Sequence, residues 1–193
     1  MNKLVQADLL SLEAYARERN ALRARAIAHK KLRKVHVGGH VTLLFEDRLT
    51  IHYQIQEILR TERIFEPSGI AEELEAYNPL IPDGHNLKAT MLIEYEDAEE
   101  RQRELARLRG VEHHVRFLVA DHAPITAIAD EDLPRSNEQK TAAVHFLRFE
   151  FDPATIADFK RGAEATVRIE HPAYRAQQRL DVQQRAALAA DFG

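Results

Sequence analysis

Four polar side chains fall on one stripe of RLTIHYQIQEILRTERI, residues 48–64. Tyr53, Gln56, Glu57 and Arg60 stand at i, i+3, i+4 and i+7, the spacing that lines up neighbours on a helix face. A phenol, an amide, a carboxylate and a guanidinium together can orient a polar ligand or partner, or move a proton. The spacing predicts that Tyr53, Glu57 and Arg60 line a cleft facing the sheet or a partner subunit, with Glu57 and Arg60 side by side. The competing reading is an Arg60–Glu57 ion pair with Tyr53 packed at an internal interface. Ten histidines raise a metal hypothesis. His40, Glu46, His52 and Glu57 can converge where a strand runs into this helix, and such donors suit iron, manganese or zinc. The plain alternative is a set of ordinary hydrogen-bonded histidines. No HExxH pair, GxSxG elbow, GxGxxG or GxxxxGK[ST] loop occurs, so no cofactor is evident.

The elements that must position these groups can be read in order. No Gly or Pro interrupts residues 3–37, and Leu9, Leu12, Ala16, Leu22 and Ala26 form an apolar stripe near the helical period. Val35–Val37 and Val41–Phe45 flank Gly38-Gly39 and predict a hairpin or a bulged strand. The 48–64 helix follows, and Pro67 opens another that runs to about Asn78. Beyond a Pro- and Gly-bearing loop, residues 88–95, 97–109 and 114–119 read as strand, helix and strand. Residues 142–151, 153–161 and 164–170 repeat that order. Asp97 and Asp152 stand at the N-caps, and Gly110 and Gly162 where the helices stop. RGVEHHVR at 109–116 and RGAEATVR at 161–168 match in register. This predicts a duplicated strand–helix–strand unit in an α+β, ferredoxin-like βαββαβ sheet, with residues 124–129 an inserted strand. His171-Pro172-Ala173-Tyr174 is read as the end of the last strand and residues 181–192 as a tail helix. The segments are then 1–80, 87–171 and 172–193.

Charge is divided unevenly. Residues 1–36 carry nine Lys or Arg and three acids, leaving −10 on the rest of a chain whose net charge is −4. A basic helix of this kind either docks on an acidic partner, a membrane or RNA, or packs on the chain's own acidic body. A net negative chain argues against general nucleic-acid binding. The absence of cysteine excludes disulfides, thiolate clusters and a Cys nucleophile. Asp8, Glu13 and Arg17 break up any signal-peptide core, and no apolar run approaches a membrane span, so a cytoplasmic protein is expected.

With these segments in view, the chain resembles the bacterial family known as domain of unknown function 3501. The resemblance lies in KKLRKVHVGGHVTLLFEDRLTIHYQIQEILRTERI, ELEAYNPLIP, ARLRGVEHHV and EHPAY, and its most specific part is Tyr53–Arg60. No activity or catalytic residue comes with it. Genes of the family often neighbour those of rubrerythrin-like and heterodisulfide-reductase-like iron–sulfur proteins, so the resemblance implies a place near peroxide defence or electron transfer, as a partner. The expected function is therefore an accessory, partner-binding protein, with a homo-oligomer also open. The alternative is a small metal-dependent enzyme centred on His52 and Glu57.

Overall fold

The computed structural model describes residues 2–137 and 139–193. Among the described residues, six α-helices and two antiparallel sheets make up an α+β fold. The helices are α1 (Leu12–Lys31), α2 (Arg48–Glu62), α3 (Pro67–Tyr77), α4 (Ala98–Arg107), α5 (Pro153–Lys160) and α6 (Val182–Ala189). The strands are β1 (Lys34–Val37), β2 (Val41–Glu46), β3 (Asn86–Ile93), β4 (Val115–Val119), β5 (Ile125–Thr126), β6 (Ile128–Ala129), β7 (Val144–Glu150), β8 (Ala165–His171) and β9 (Tyr174–Arg179). No helix among the described residues is long and apolar enough to cross a membrane.

The expected strands and helices form, but they do not build one ferredoxin-like sheet. One sheet has the order β1-β2-β3-β7-β6 and the other β5-β4-β8-β9. Both strand–helix–strand units therefore step from the first sheet to the second, with β3 antiparallel to β7 and β4 antiparallel to β8. Arg116 and Arg168, equivalent residues of the repeated motif, are direct cross-strand partners. The cause lies in the helices. A ferredoxin-like sheet needs helices to cover one face, yet α4 buries only Leu105, and α5 only Thr155 and Phe159. The apolar strand faces cover each other instead. Alternate residues such as Phe45, Leu147 and Phe149 meet Val115, Phe117 and Val167 in one core. The Phe117 ring lies 6.0 Å from Phe45 and 5.9 Å from Phe149 across the two sheets.

Both open sides of this sandwich are closed. The stretch expected as one inserted strand is split: β5 pairs with β4, while β6 pairs with β7 in the other sheet. On the opposite side lies β9, which the expected strand end at Pro172 had left out. Pro172 and Ala173 form the turn of a β8–β9 hairpin, where Pro needs to donate no ladder hydrogen bond. Tyr174 of β9 donates its hydroxyl to Val37 O at 2.7 Å and accepts from His40 N at 3.1 Å. The hairpin β1–β2, from the 1–80 segment, extends the same sheet as β3 and β7 and enters the same core. The tail helix packs back through Leu188, with the Phe192 ring 4.8 Å from that of Phe151. A second, smaller apolar cluster joins Leu4, Ile51, Ile55, Leu59, Leu74 and Ile81.

Buried charge ties these layers together. Arg33, 1% exposed, donates to Phe45 O at 2.9 Å, Glu46 O at 3.2 Å and Ala187 O at 3.1 Å, and pairs with Asp191. Asp47 lies 3.4 Å away, caps α2 through Leu49 N and Thr50 N, and pairs with His29 at 2.5 Å. Burial pushes the Asp191 carboxyl up to about 6, against the pull of Arg33.

The β1–β2 turn carries the sharpest steric requirement. Gly38 has φ +75°, and a methyl group there would lie 2.5 Å from the Tyr174 oxygen and 2.9 Å from Ala176 Cβ. Gly39 has nothing within 4 Å. Gly38→Ala is expected to cost on the order of 1–3 kcal/mol in chemical denaturation, and Gly39→Ala about 0.5 kcal/mol or less. Equal costs at the two positions would show that β9 does not constrain the turn.

Candidate functional site

The predicted stripe on α2 faces the chain's own N-terminal segment. Gln56 is fully buried; its Oε1 accepts from Leu10 N at 2.7 Å and its Nε2 donates to Leu10 O at 3.3 Å. Glu57 accepts from the Tyr15 hydroxyl at 2.5 Å and from Arg19 Nε and Nη2, both at 2.7 Å. Arg60 is close to Glu57 as expected, at 4.0 Å, but is itself exposed. The bidentate Arg19 hydrogen bonds, opposed in part by burial, hold the Glu57 carboxyl down at about 2. Burial, then the hydrogen bond to Glu57, raises the Tyr15 phenol. A carboxylate so fully engaged is a fastening between α1 and α2, unsuited to act as a base.

Tyr53 is placed differently. Its ring lies 5.7 Å from the Lys30 ammonium, and its hydroxyl makes no hydrogen bond among the described residues. With His52 it lines a cleft of about 310 Å³ between α1 and α2, whose other walls include Leu22, Arg25, Arg48 and Leu49. His52 Nε2 pairs with Asp8 O at 2.9 Å, and Arg48 binds the Asp8 carboxylate at 2.8 Å. The stripe is thus divided, with Tyr53 at a cleft and Gln56 and Glu57 under the N-terminal segment.

The expected metal donors His40, Glu46 and His52 do not converge. His40 stacks on Tyr95, centroids 4.0 Å apart, and pairs through Nδ1 with Glu94 O. Glu46 is buried and accepts from Thr50 and Thr90 hydroxyls at 2.5 and 2.7 Å. Burial raises its carboxyl. His52 is held by Asp8 as above. Each has been claimed by a different neighbour.

A different His and carboxylate group does come together. Glu112, Asp130 and His145 offer ligand atoms all within 4.8 Å of one another, a donor set suited to iron, manganese or zinc. Its hydrogen bonding already forms an unbroken chain. Asp130 Oδ2 meets His145 Nδ1 at 2.6 Å, and His145 Nε2 meets Thr141 Oγ1 at 2.8 Å. Thr141 meets Ser136 at 2.8 Å, and Ser136 donates to Glu112 at 2.5 Å. Burial opposes ionisation of Glu112, but hydrogen bonds from Ser136 and its own backbone N–H hold its pKa below the ordinary value. His145 is wholly buried and Glu112 nearly so. The arrangement links Asp130, Ser136 and Thr141 to Glu112 and His145 through hydrogen bonds. One signal for it was readable: His145 shares a strand face with Leu147 and Phe149, where an apolar residue is expected. The loop partners Asp130, Ser136 and Thr141 had no such signal.

The model of the family described as "Protein of unknown function (DUF3501)" matches residues 3–192. The chain belongs to that family. A crystal structure of a novel protein of unknown function from Burkholderia pseudomallei K96243 is 51% identical, with each chain covered over 100% and a TM-score of 0.95. No curated protein matches. Membership in the DUF3501 family thus extends over the basic helix, the sandwich and the tail alike, and assigns no chemistry to any of them.

Two outcomes are expected. A carboxyl held below its ordinary value contributes stability that is present above about pH 4.5 and lost as the pH falls toward 2. Glu57→Gln should therefore lower stability by roughly 1–3 kcal/mol at pH 7 and flatten the acid limb of a urea-midpoint profile in that window. An unchanged profile would deny Glu57 its fastening role. Thr141→Val, which breaks the buried chain at its middle, should cost roughly 1–3 kcal/mol, while added Zn²⁺ or Mn²⁺ should leave the wild-type Tm unchanged. A metal-induced rise in Tm that Glu112→Gln abolishes would make the cluster a metal centre.

Proposed function

We propose that the protein is an accessory, partner-binding protein that docks through the outer face of α1 onto an acidic protein surface. The observation that supports this is the division of charge on the helix. Arg19 and His29 turn inward and are paired with Glu57 and Asp47. Arg17, Arg23 and Lys31 are exposed and form no ion pair among the described residues. Of twenty residues, α1 buries only Tyr15 and Ala26. Arg17, Asn20, Ala24, Ile27 and Lys31 follow the helical period on the outward side, and Ile27 is 44% exposed. An apolar residue among small ones, flanked by cations, suits an acidic surface: Ile27 supplies buried area, while the cations speed association and set its salt dependence.

Self-association through this face is disfavoured, because a second copy would bring the same cations against each other. The enzyme alternative at His52 and Glu57 is weakened by the engagement of Glu57 with Arg19 and Tyr15. The family resemblance makes rubrerythrin-like and iron–sulfur proteins of an iron-dependent redox or peroxide-defence system the partners to examine first.

The test places a photo-crosslinking phenylalanine at Ala24 in cells that make the protein and identifies the adduct by mass spectrometry. The expected adduct is a protein with an acidic contact surface, lost when Arg17→Glu and Lys31→Glu are combined. Lack of an adduct, an adduct with a second copy, with RNA or with lipid, or one indifferent to the charge reversal would overturn the proposal.

A further inference from the structure

The cleft between α1 and α2 has the makings of a small-molecule site. Its volume of about 310 Å³ falls at the lower end of the range for small-ligand pockets. Leu22 and Leu49 give it apolar walls, and Arg25, Arg48 and His52 supply basic groups. Asp8 is the one acid lining it, and Arg48 already binds that carboxylate at 2.8 Å. Arg25 forms no hydrogen bond or ion pair among the described residues. The Tyr53 hydroxyl likewise makes no hydrogen bond among the described residues, and the residue is half-buried. His52 gives its Nε2 hydrogen to the Asp8 carbonyl, which can only accept, so the Nδ1 of a neutral ring is left to accept from a ligand.

We infer that this cleft binds a small aromatic carboxylate, with the carboxylate at Arg25 and the Tyr53 hydroxyl, the ring between Leu22 and Leu49, and a ligand hydroxyl within reach of His52. A free guanidinium and a free phenol beside apolar walls recognise an anion on a flat apolar body better than a bare inorganic anion. A neutral ligand of the same shape would leave Arg25 unpaired. The inference does not rest on the docking reading, since Arg25 projects from a different side of α1 than Arg17, Ala24, Ile27 and Lys31.

The experiment titrates the full chain with 4-hydroxybenzoate, 4-hydroxybenzamide and inorganic phosphate, following amide NMR shifts. Expected are saturable shifts clustered at Leu22, Arg25, Leu49 and His52 for 4-hydroxybenzoate, with both other probes at least tenfold weaker. Arg25→Gln, a change at an exposed side chain, should weaken 4-hydroxybenzoate at least fivefold with the shifts elsewhere preserved. The Arg17→Glu and Lys31→Glu combination should leave its affinity unchanged, which separates failure here from failure of the docking surface. Shifts scattered over the molecule, equal binding of the amide or phosphate, or an Arg25→Gln variant with wild-type affinity would each overturn the inference.

Discussion

A guanidinium with almost no access to water organises this fold. Removing a charge from solvent is costly unless every donor finds an acceptor, and the acceptors of Arg33 come from distant parts of the chain. They are the end of β2 at Phe45 and Glu46, the tail at Ala187 and Asp191, and the α2 cap residue Asp47. The charge is therefore compensated only once the N-terminal helix, the first hairpin, α2 and the C-terminus are all in place. That requirement gives the assembly a specificity that apolar contact alone does not confer. It also sets the direction in which α1 leaves the body, because Arg33 follows α1 by two residues and is locked at both backbone and side chain. Phe45 N donates to Arg33 O at 2.9 Å.

How far the sequence reveals all this depends on the range of the interaction. Local signals were reliable: Asp97 and Asp152 cap α4 and α5, Gly110 and Gly162 take φ of +80° and +92°, and Pro67 opens α3. The division into two sheets was a question of what covers what, and alternation within a strand says only that one face is buried. The evidence against helices as the cover was nevertheless present in AEERQRELAR, a segment too charged to roof a sheet. Strand β9 was missed for a related reason. YRAQQR offers little apolar periodicity, and it is a strand because β8 pairs with it and Tyr174 reaches Val37. Arg33, in a run of surface-like cations, gave no sign of burial.

The polar stripe shows a similar limit. Tyr53 and Gln56 are residues suited to partial burial, and Gln56 and Glu57 are covered. Their cover is Leu10, Tyr15 and Arg19 of the same chain. The uneven charge already allowed this, since a basic N-terminal stretch beside an acidic remainder can satisfy itself. Nothing in residue spacing distinguishes an internal partner from an external one, because both demand the same donors and acceptors. For the metal donors the failure was geometric. His40, Glu46 and His52 are near in sequence, but each lies next to a better hydrogen-bonding neighbour.

The manner in which α1 is attached explains why a cleft exists beneath it. A helix fastened by apolar packing closes onto its neighbour until side chains interdigitate, leaving few voids larger than a water molecule. Here α1 buries only Tyr15 and Ala26, and the fastenings stand at the two ends. Near the start, Leu10 bonds Gln56, and Tyr15 and Arg19 hold Glu57; near the finish, His29 pairs with Asp47 and Arg33 is locked beyond. Hydrogen bonds and ion pairs have fixed lengths, so they hold two helices at a set separation and do not draw them together. Between the fastenings, the small Ala26 leaves a gap that is lined by the side chains that happen to flank it, among them Leu49, Arg25, His52 and Tyr53. The polar tethers that place the helix thereby leave open a cavity that both helices line with cationic and apolar side chains.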